Sequence, residues 1–145
     1  RIGQALPLFE PQLPPHADFI FISIGANDCK DATPVRQWVR EWQRLLQHLR
    51  HRYPSAYIVC SSIPPFRCFP SLPYPVRAFL GRRSDLMNDL LRREIASFER
   101  SSFLLIPDIM TPDYFAEDGF HPNAKAHKEW AEGIFEELKR KKALD

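Results

Sequence analysis

Residues 18–28 read DFIFISIGAND, and they decide most of the fold. Residues 18–24 are a near-continuous apolar run, rich in β-branched and aromatic side chains. That is the composition of a strand buried on both faces, as in a parallel sheet. Gly25 ends it. Two further runs have the same character: AYIVCS at 56–61 and FLLI at 103–106. Between and after them lie helical patterns. Residues 34–52 place Val35, Trp38, Val39, Trp42, Leu45, Leu46 and Leu49 on one stripe, with Arg, Gln, His and Glu opposite. Thr33 is read as the N-cap and Pro34 as the first helical residue. Residues 84–98 repeat the pattern with Leu86, Leu90, Leu91, Ile95 and Phe98, and with Ser84 as N-cap. Residues 123–140 form a last helix, with Trp130, Ile134, Phe135 and Leu138 inward. A short helical turn is expected near residues 2–10, where Pro7 interrupts any longer one.

Strands alternating with helices predict an α/β fold with a parallel sheet. Ligands in such sheets sit at the carboxyl ends of the strands, so chemistry is sought just after each strand. The rest of the composition narrows the class. The chain has 145 residues with 44% hydrophobic and 26% charged, which fits one globular domain over 1–145. A net charge of +2 is a poor handle for nucleic acid or an anionic membrane. No apolar run reaches the roughly 18 residues a spanning helix needs. Three cysteines, with no CxxC pair, suggest neither a disulfide scaffold nor zinc, and lean toward a reducing cytoplasm. Fourteen prolines are about twice the usual share. Many fall in residues 63–83, expected to be a long irregular connection beside the cleft. That connection mixes Phe66, Phe69, Leu72, Tyr74, Phe79 and Leu80 with Arg67, Arg77, Arg82 and Arg83. It reads equally as an acyl-chain wall with cations for a head group, or as a packed loop.

Two motifs lie at the expected sheet edge. Gly25-Ala26-Asn27-Asp28 comes after the first strand, and Asp118-Gly119-Phe120-His121-Pro122 precedes the last helix. Asp118 and His121 are three residues apart, close enough for the carboxylate to meet the imidazole. A carboxylate bonded to Nδ1–H fixes the tautomer and leaves Nε2 as a general base. Asn27, at a strand end after a glycine, can present its NH₂ to a developing oxyanion. Asp28 is read as a partner for loop N–H groups and Asp108 as a turn-former. Asp113 and Glu117 lack the three-residue spacing to His121. His16, His48, His51 and His127 are read as loop or solvated residues, and the three tryptophans as core. Cys60 is read as strand core. Cys29 and Cys68 lie near the cleft, with nothing to place either beside His121.

G-x-N-D after a strand, with D-x-x-H before the C-terminal helix, resembles the SGNH (GDSL-type) hydrolase family. The match is to two of the family's four signature blocks, in the right order. The resemblance implies a three-layer α/β/α flavodoxin-like sheet and ester, thioester or carbohydrate acetyl ester hydrolysis without metal or cofactor. It also implies Asp118 and His121 as acid and base of a Ser-His-Asp triad, and Asn27 as an oxyanion donor. The family's Gly-Asp-Ser nucleophile block is missing from these residues. Arg83-Ser84-Asp85-Leu86 has Ser and Asp in the wrong order, and Ser23 is placed inside the strand. The chain also opens on Arg1. The expectation is therefore an N-terminally truncated domain, its first strands and nucleophile removed, unrecorded or carried on another chain. As it stands the chain is then inactive alone, and strand 18–24 becomes a sheet edge. The partner is a small-molecule ester or acyl substrate. The alternative is a non-catalytic α/β module that lost the nucleophile and binds an acyl or carbohydrate ligand. A flavin or nucleotide module is disfavoured, because no glycine-rich phosphate loop comes after residues 18–24.

Overall fold

A computed structural model describes residues 1–106 and 111–141 of the chain. At its centre is β2 (Tyr57–Ser61), buried at every position. Parallel strands flank it: β1 (Phe19–Ile22) on one side and β3 (Ser101–Leu104) on the other, giving the order β1-β2-β3. Five α-helices accompany the sheet among the described residues: α1 (Ala5–Phe9), α2 (Ala26–Lys30), α3 (Val35–Arg52), α4 (Val76–Ala96) and α5 (Ala124–Arg140).

Alternation along β2 separates two faces. Ile58 and Cys60 join a core with Trp38, Trp42, Leu46 and Leu49 of α3 and Leu91 and Ile95 of α4. Tyr57 and Val59 point the other way, to Leu138 and Ile134 of α5. This is the three-layer arrangement expected. Trp38 and Trp42 are fully buried and meet edge to face at 6.1 Å, while Trp130 is only partly buried. Burying a side chain of that size stabilises the fold by about 1.5–3 kcal/mol or more, so Trp42→Ala is the kind of single change this core tolerates worst.

The amino ends of the strands are tied by one side chain. Arg50, in the last turn of α3, donates through Nη1 to the carbonyls of Tyr53 (3.3 Å), Pro54 (3.0 Å) and Ala56 (2.7 Å). Through Nη2 it reaches Glu99 (2.7 Å) and Arg100 (3.2 Å), just before β3. The guanidinium fork suits this task because its five donors are fixed in one plane.

Several expectations need correction. Residues 18–24 are not buried on both faces: Phe19 and Phe21 are exposed, and the strand stops at Ile22. Among the described residues β1 does lie at the sheet edge, as a domain lacking its first strands was expected to place it. β3 begins two residues earlier than expected, and Leu105 lies beyond its end, exposed. Residues 63–83 are not one long loop. The prolines stop at Pro75, and α4 starts directly after it. Ser84 is therefore no N-cap; it is buried inside α4 and donates to the carbonyl of Gly81 at 2.8 Å. Gly81 lets α4 run past Arg67, whose Cβ would lie 3.1 Å from an added Cβ there. Thr33 makes no side-chain cap; Pro34 occupies the N-cap position of α3. Phe135 is exposed rather than inward. His48, expected to be solvated, is half-buried and meets Glu10 at 2.5 Å.

Candidate active site

The carboxyl ends of the strands carry the two motifs. After β1 the chain reverses at Gly25, whose φ of +130° favours glycine. A Cβ there would lie 2.9 Å from Ile63, so the turn admits no side chain. α2 begins immediately, with Asn27 exposed in its first turn. Among the described residues the Asn27 carboxamide has no hydrogen-bond partner, so its NH₂ is available to a ligand. The next residue does the opposite: Asp28 is buried, and its Oδ2 accepts from the N–H of Ile2 at 2.9 Å. It is the structural partner of loop backbone that the sequence suggested.

Asn27 borders a hollow of about 200 Å³ with Arg1, Ser23, Ile24, Ser62, Ile63 and Pro64. Ser23 lies just past β1 and is exposed, not inside the strand as expected. The floor of the hollow is held by two buried polar side chains. Asn88 of α4 accepts from the Ile63 N–H at 2.7 Å and donates to the Ile63 carbonyl at 3.0 Å. Ser62 Oγ accepts from the Ile106 N–H at 2.8 Å. Sequence reasoning missed both. The signal for Asn88 was present, since an amide lies among Ser84, Met87, Leu91 and Ile95 on the buried stripe of a helix. A larger apolar hollow between α1, β1 and α3 meets this one at Ser23 and Ile24 but holds no titratable group.

The second motif is a turn built by its own aspartate. Asp118 Oδ1 accepts from the N–H groups of Phe120 and His121, both at 2.9 Å. Asp118 Oδ2 lies 2.5 Å from His121 Nδ1. Gly119, at φ +64°, closes the turn, and its N–H reaches the Ala116 carbonyl at 2.9 Å. The imidazole first and the two N–H groups next hold the Asp118 carboxyl down at about 2. His121 is exposed, and Asp118 is the hydrogen-bond partner of its ring among the described residues. With Nδ1–H donating to the Asp118 carboxylate, Nε2 keeps its lone pair. Asn123 anchors the start of the last helix. Its Nδ2 donates to the carbonyls of Asp113 and Phe115, while its Oδ1 caps α5 through the Ala126 N–H.

Phe120 connects the motifs. Its ring packs on Phe66 and Phe69 and against the imidazole of His121 at 5.4 Å. Lys30, one turn along α2 from Asn27, carries its Nζ 5.1 Å from the same ring. Asp118 and His121 are thus in contact; Asn27, in the first turn of α2, borders a hollow that neither of them lines. The other candidates are occupied elsewhere. Asp113 is held by Lys125 and Thr111, which lower its pKa. Cys29 is buried, and desolvation pushes its thiol up to about 11, against the pull of Arg83. Burial raises Cys60 likewise. Neither thiol has the thiolate character of a nucleophile. Asp108 lies outside the described residues. Within those residues no cluster of His, Cys, Asp and Glu is arranged to hold a metal ion, and no helix is long and apolar enough to cross a membrane.

The parallel strands with helices on both faces are an α/β fold of the SGNH hydrolase kind. The family model of GDSL-like lipases and acylhydrolases matches residues 1–129, and the chain belongs to that family. Solved structures share the fold. One, from Streptococcus pneumonia and described as "a putative platelet activating factor", matches with TM-score 0.79 at 19% identity, over 95% of this chain and 68% of its own. An active site mutant of a family two carbohydrate esterase from Clostridium thermocellum matches with TM-score 0.67 at 20% identity, over 87% of this chain and 36% of its own. A family two carbohydrate esterase from the same organism, in complex with cellohexaose, matches with TM-score 0.61 at 20% identity over the same shares. At such identities the likeness is one of fold. No curated protein matches the chain in sequence.

Proposed function

We propose that the chain supplies the acid, base and oxyanion-binding part of a serine esterase that hydrolyses carboxylic esters or thioesters. The observation that carries this reading is the Asp118–His121 contact at 2.5 Å, which uses Nδ1 and leaves Nε2 unspent. In the reaction, a serine outside these 145 residues attacks the acyl carbonyl. His121 Nε2 takes its proton and passes it to the leaving alcohol or thiol. Asp118 holds the imidazole and stabilises the imidazolium. The Asn27 amide donates to the oxyanion of the tetrahedral intermediate. Water then takes the place of the alcohol, and the same base activates it to release the acid. Residues 1–145 are on this reading one hydrolase domain whose nucleophile lies in a further segment. Membership of the acylhydrolase family supports ester chemistry.

The test is a fluorophosphonate probe on the intact polypeptide, followed by peptide mapping. The expected label lies on a serine outside residues 1–145 and vanishes in His121→Ala. Label on Ser23 or another serine within the chain would overturn the placement of the nucleophile. No label, with no turnover of p-nitrophenyl acetate, would favour a binding module.

A further inference from the structure

The stretch from Pro64 into the first turns of α4 divides into two halves of opposite character. Phe66 and Phe69 turn inward and build the aromatic wall behind Phe120. Tyr74, Val76 and Phe79 turn outward: Tyr74 is 78% exposed and Phe79 61%. Leu86 is exposed too and lies seven residues after Phe79, on the same side of α4. Val76, Phe79 and Leu86 thus stand exposed on one side of α4, with Tyr74 exposed in the chain just before it.

The charges around them are of one sign. Residues 66–93 hold six arginines and two aspartates, an excess of four in a chain whose total is +2. The small net charge hides this segregation. Both aspartates are already paired, Asp85 with Arg67 and Asp89 with Arg92. Arg83 is spent on the carbonyls of Cys29 and Thr33. Arg77 and Arg82 have no ion-pair partner among the described residues; Arg82 lies three residues after Phe79, on its side of α4, and Arg77 is exposed in the first turn of the same helix. An exposed stripe of aromatic and aliphatic side chains with free guanidinium groups beside it matches the boundary of an anionic bilayer. Its apolar parts enter the acyl region there and its cations meet phosphate. One side of a single helix offers no groove for a peptide, which favours the lipid surface.

We propose that Tyr74, Val76, Phe79 and Leu86, with Arg77 and Arg82, dock the protein on anionic lipid membranes. The face is joined to the catalytic turn: Ser71 donates from Oγ (2.9 Å) and from its N–H (3.4 Å) to the carbonyl of Gly119, between Asp118 and His121. This inference deepens the esterase reading and in that respect rests on it, since docking would bring lipid-borne acyl esters to the His121 edge.

The experiment is co-sedimentation of the intact polypeptide with vesicles of equal parts phosphatidylserine and phosphatidylcholine, and with vesicles of phosphatidylcholine alone. The wild type should pellet with the first and bind the second far less. Removing an aromatic anchor should weaken binding about tenfold, so Tyr74→Ala with Phe79→Ala loses it nearly completely. Arg77→Gln with Arg82→Gln should cost about fivefold per charge on the serine lipid and nothing on the choline lipid. Raising the salt should mimic the arginine variant. All variants should hydrolyse soluble p-nitrophenyl acetate at the wild-type rate, which also reports that they are folded. A wild type that stays in the supernatant would overturn the proposal. Wild-type partition of the aromatic variant would do so too. So would a dimer in analytical ultracentrifugation that Phe79→Asp dissolves without any vesicle binding, which would assign the face to self-association. Loss of soluble-ester turnover in the wild type would instead strike the esterase reading and leave the vesicle result standing.

Discussion

The two ends of the sheet solve different problems. At the amino end, Arg50 gathers five backbone carbonyls from the segments before β2 and β3, and Arg100 adds a sixth bond to Ser55 at 2.8 Å. Polar groups there are used up on one another. At the carboxyl end the same kinds of groups are left facing out: the Asn27 amide and the second nitrogen of His121. Their backbones are fixed with equal care, through Gly25, Asp118 and Asn88, but their tips are free. A site is recognised here by accurately held side chains whose own hydrogen-bonding capacity is unspent, not by polarity alone.

Changes at one end should therefore move turnover and at the other stability. The largest effect is expected for His121→Ala, which should lower kcat for a soluble ester by about 10⁴-fold or more with an unchanged melting temperature. Wild-type turnover in that variant would end the assignment. Asp118→Asn should come close behind. Its Oδ1 can still accept the two N–H groups that shape the turn, but its NH₂ opposes Nδ1 and favours the wrong tautomer, a change that costs about 10⁴-fold in a comparable triad. Circular dichroism should show the fold intact. Asn27→Ala should reduce kcat by about 10²–10³-fold with little change in KM; an effect confined to KM would make Asn27 a ground-state contact. Arg50→Ala should destabilise by about 2–4 kcal/mol in urea denaturation while activity per folded molecule holds. The smallest effect is a titration. The Asp118 carboxyl, followed by carbon-13 NMR, should have its midpoint near 2. In His121→Ala it should rise only part of the way toward about 4, the ordinary value, because the two backbone N–H donors remain. Its folded-state value is depressed, so its contribution is complete above about 4 and fades as the pH falls toward 2.

Much of the fold was legible in the sequence for physical reasons. Short continuous apolar runs marked the strands around Ile20, Ile58 and Phe103, and a period of 3.6 marked the helix under Trp38 and Trp42. The three-residue spacing of Asp118 and His121 was enough to predict their contact, because a short turn needs no tertiary knowledge. The start of α4 was not legible. Pro73, Pro75 and Gly81 read as loop, and only the packing of Gly81 against Arg67 shows why a glycine belongs inside that helix. The exposure of Phe19 and Phe21 was equally hidden, since an apolar run does not say whether both of its faces are covered. Asn88 and Ser62 escaped because their partners are backbone groups 25 and 44 residues away.

One of those escaped contacts reaches further than its size suggests. Ile63 is the gauge that sets how tightly the chain can fold at Gly25, and Asn88 is the peg that keeps the gauge in place. The placement of Asn27 therefore depends on a helix that lines no part of the hollow Asn27 borders. Loosening that peg would first appear as a broader spread of amide orientations, long before any loss of the folded state.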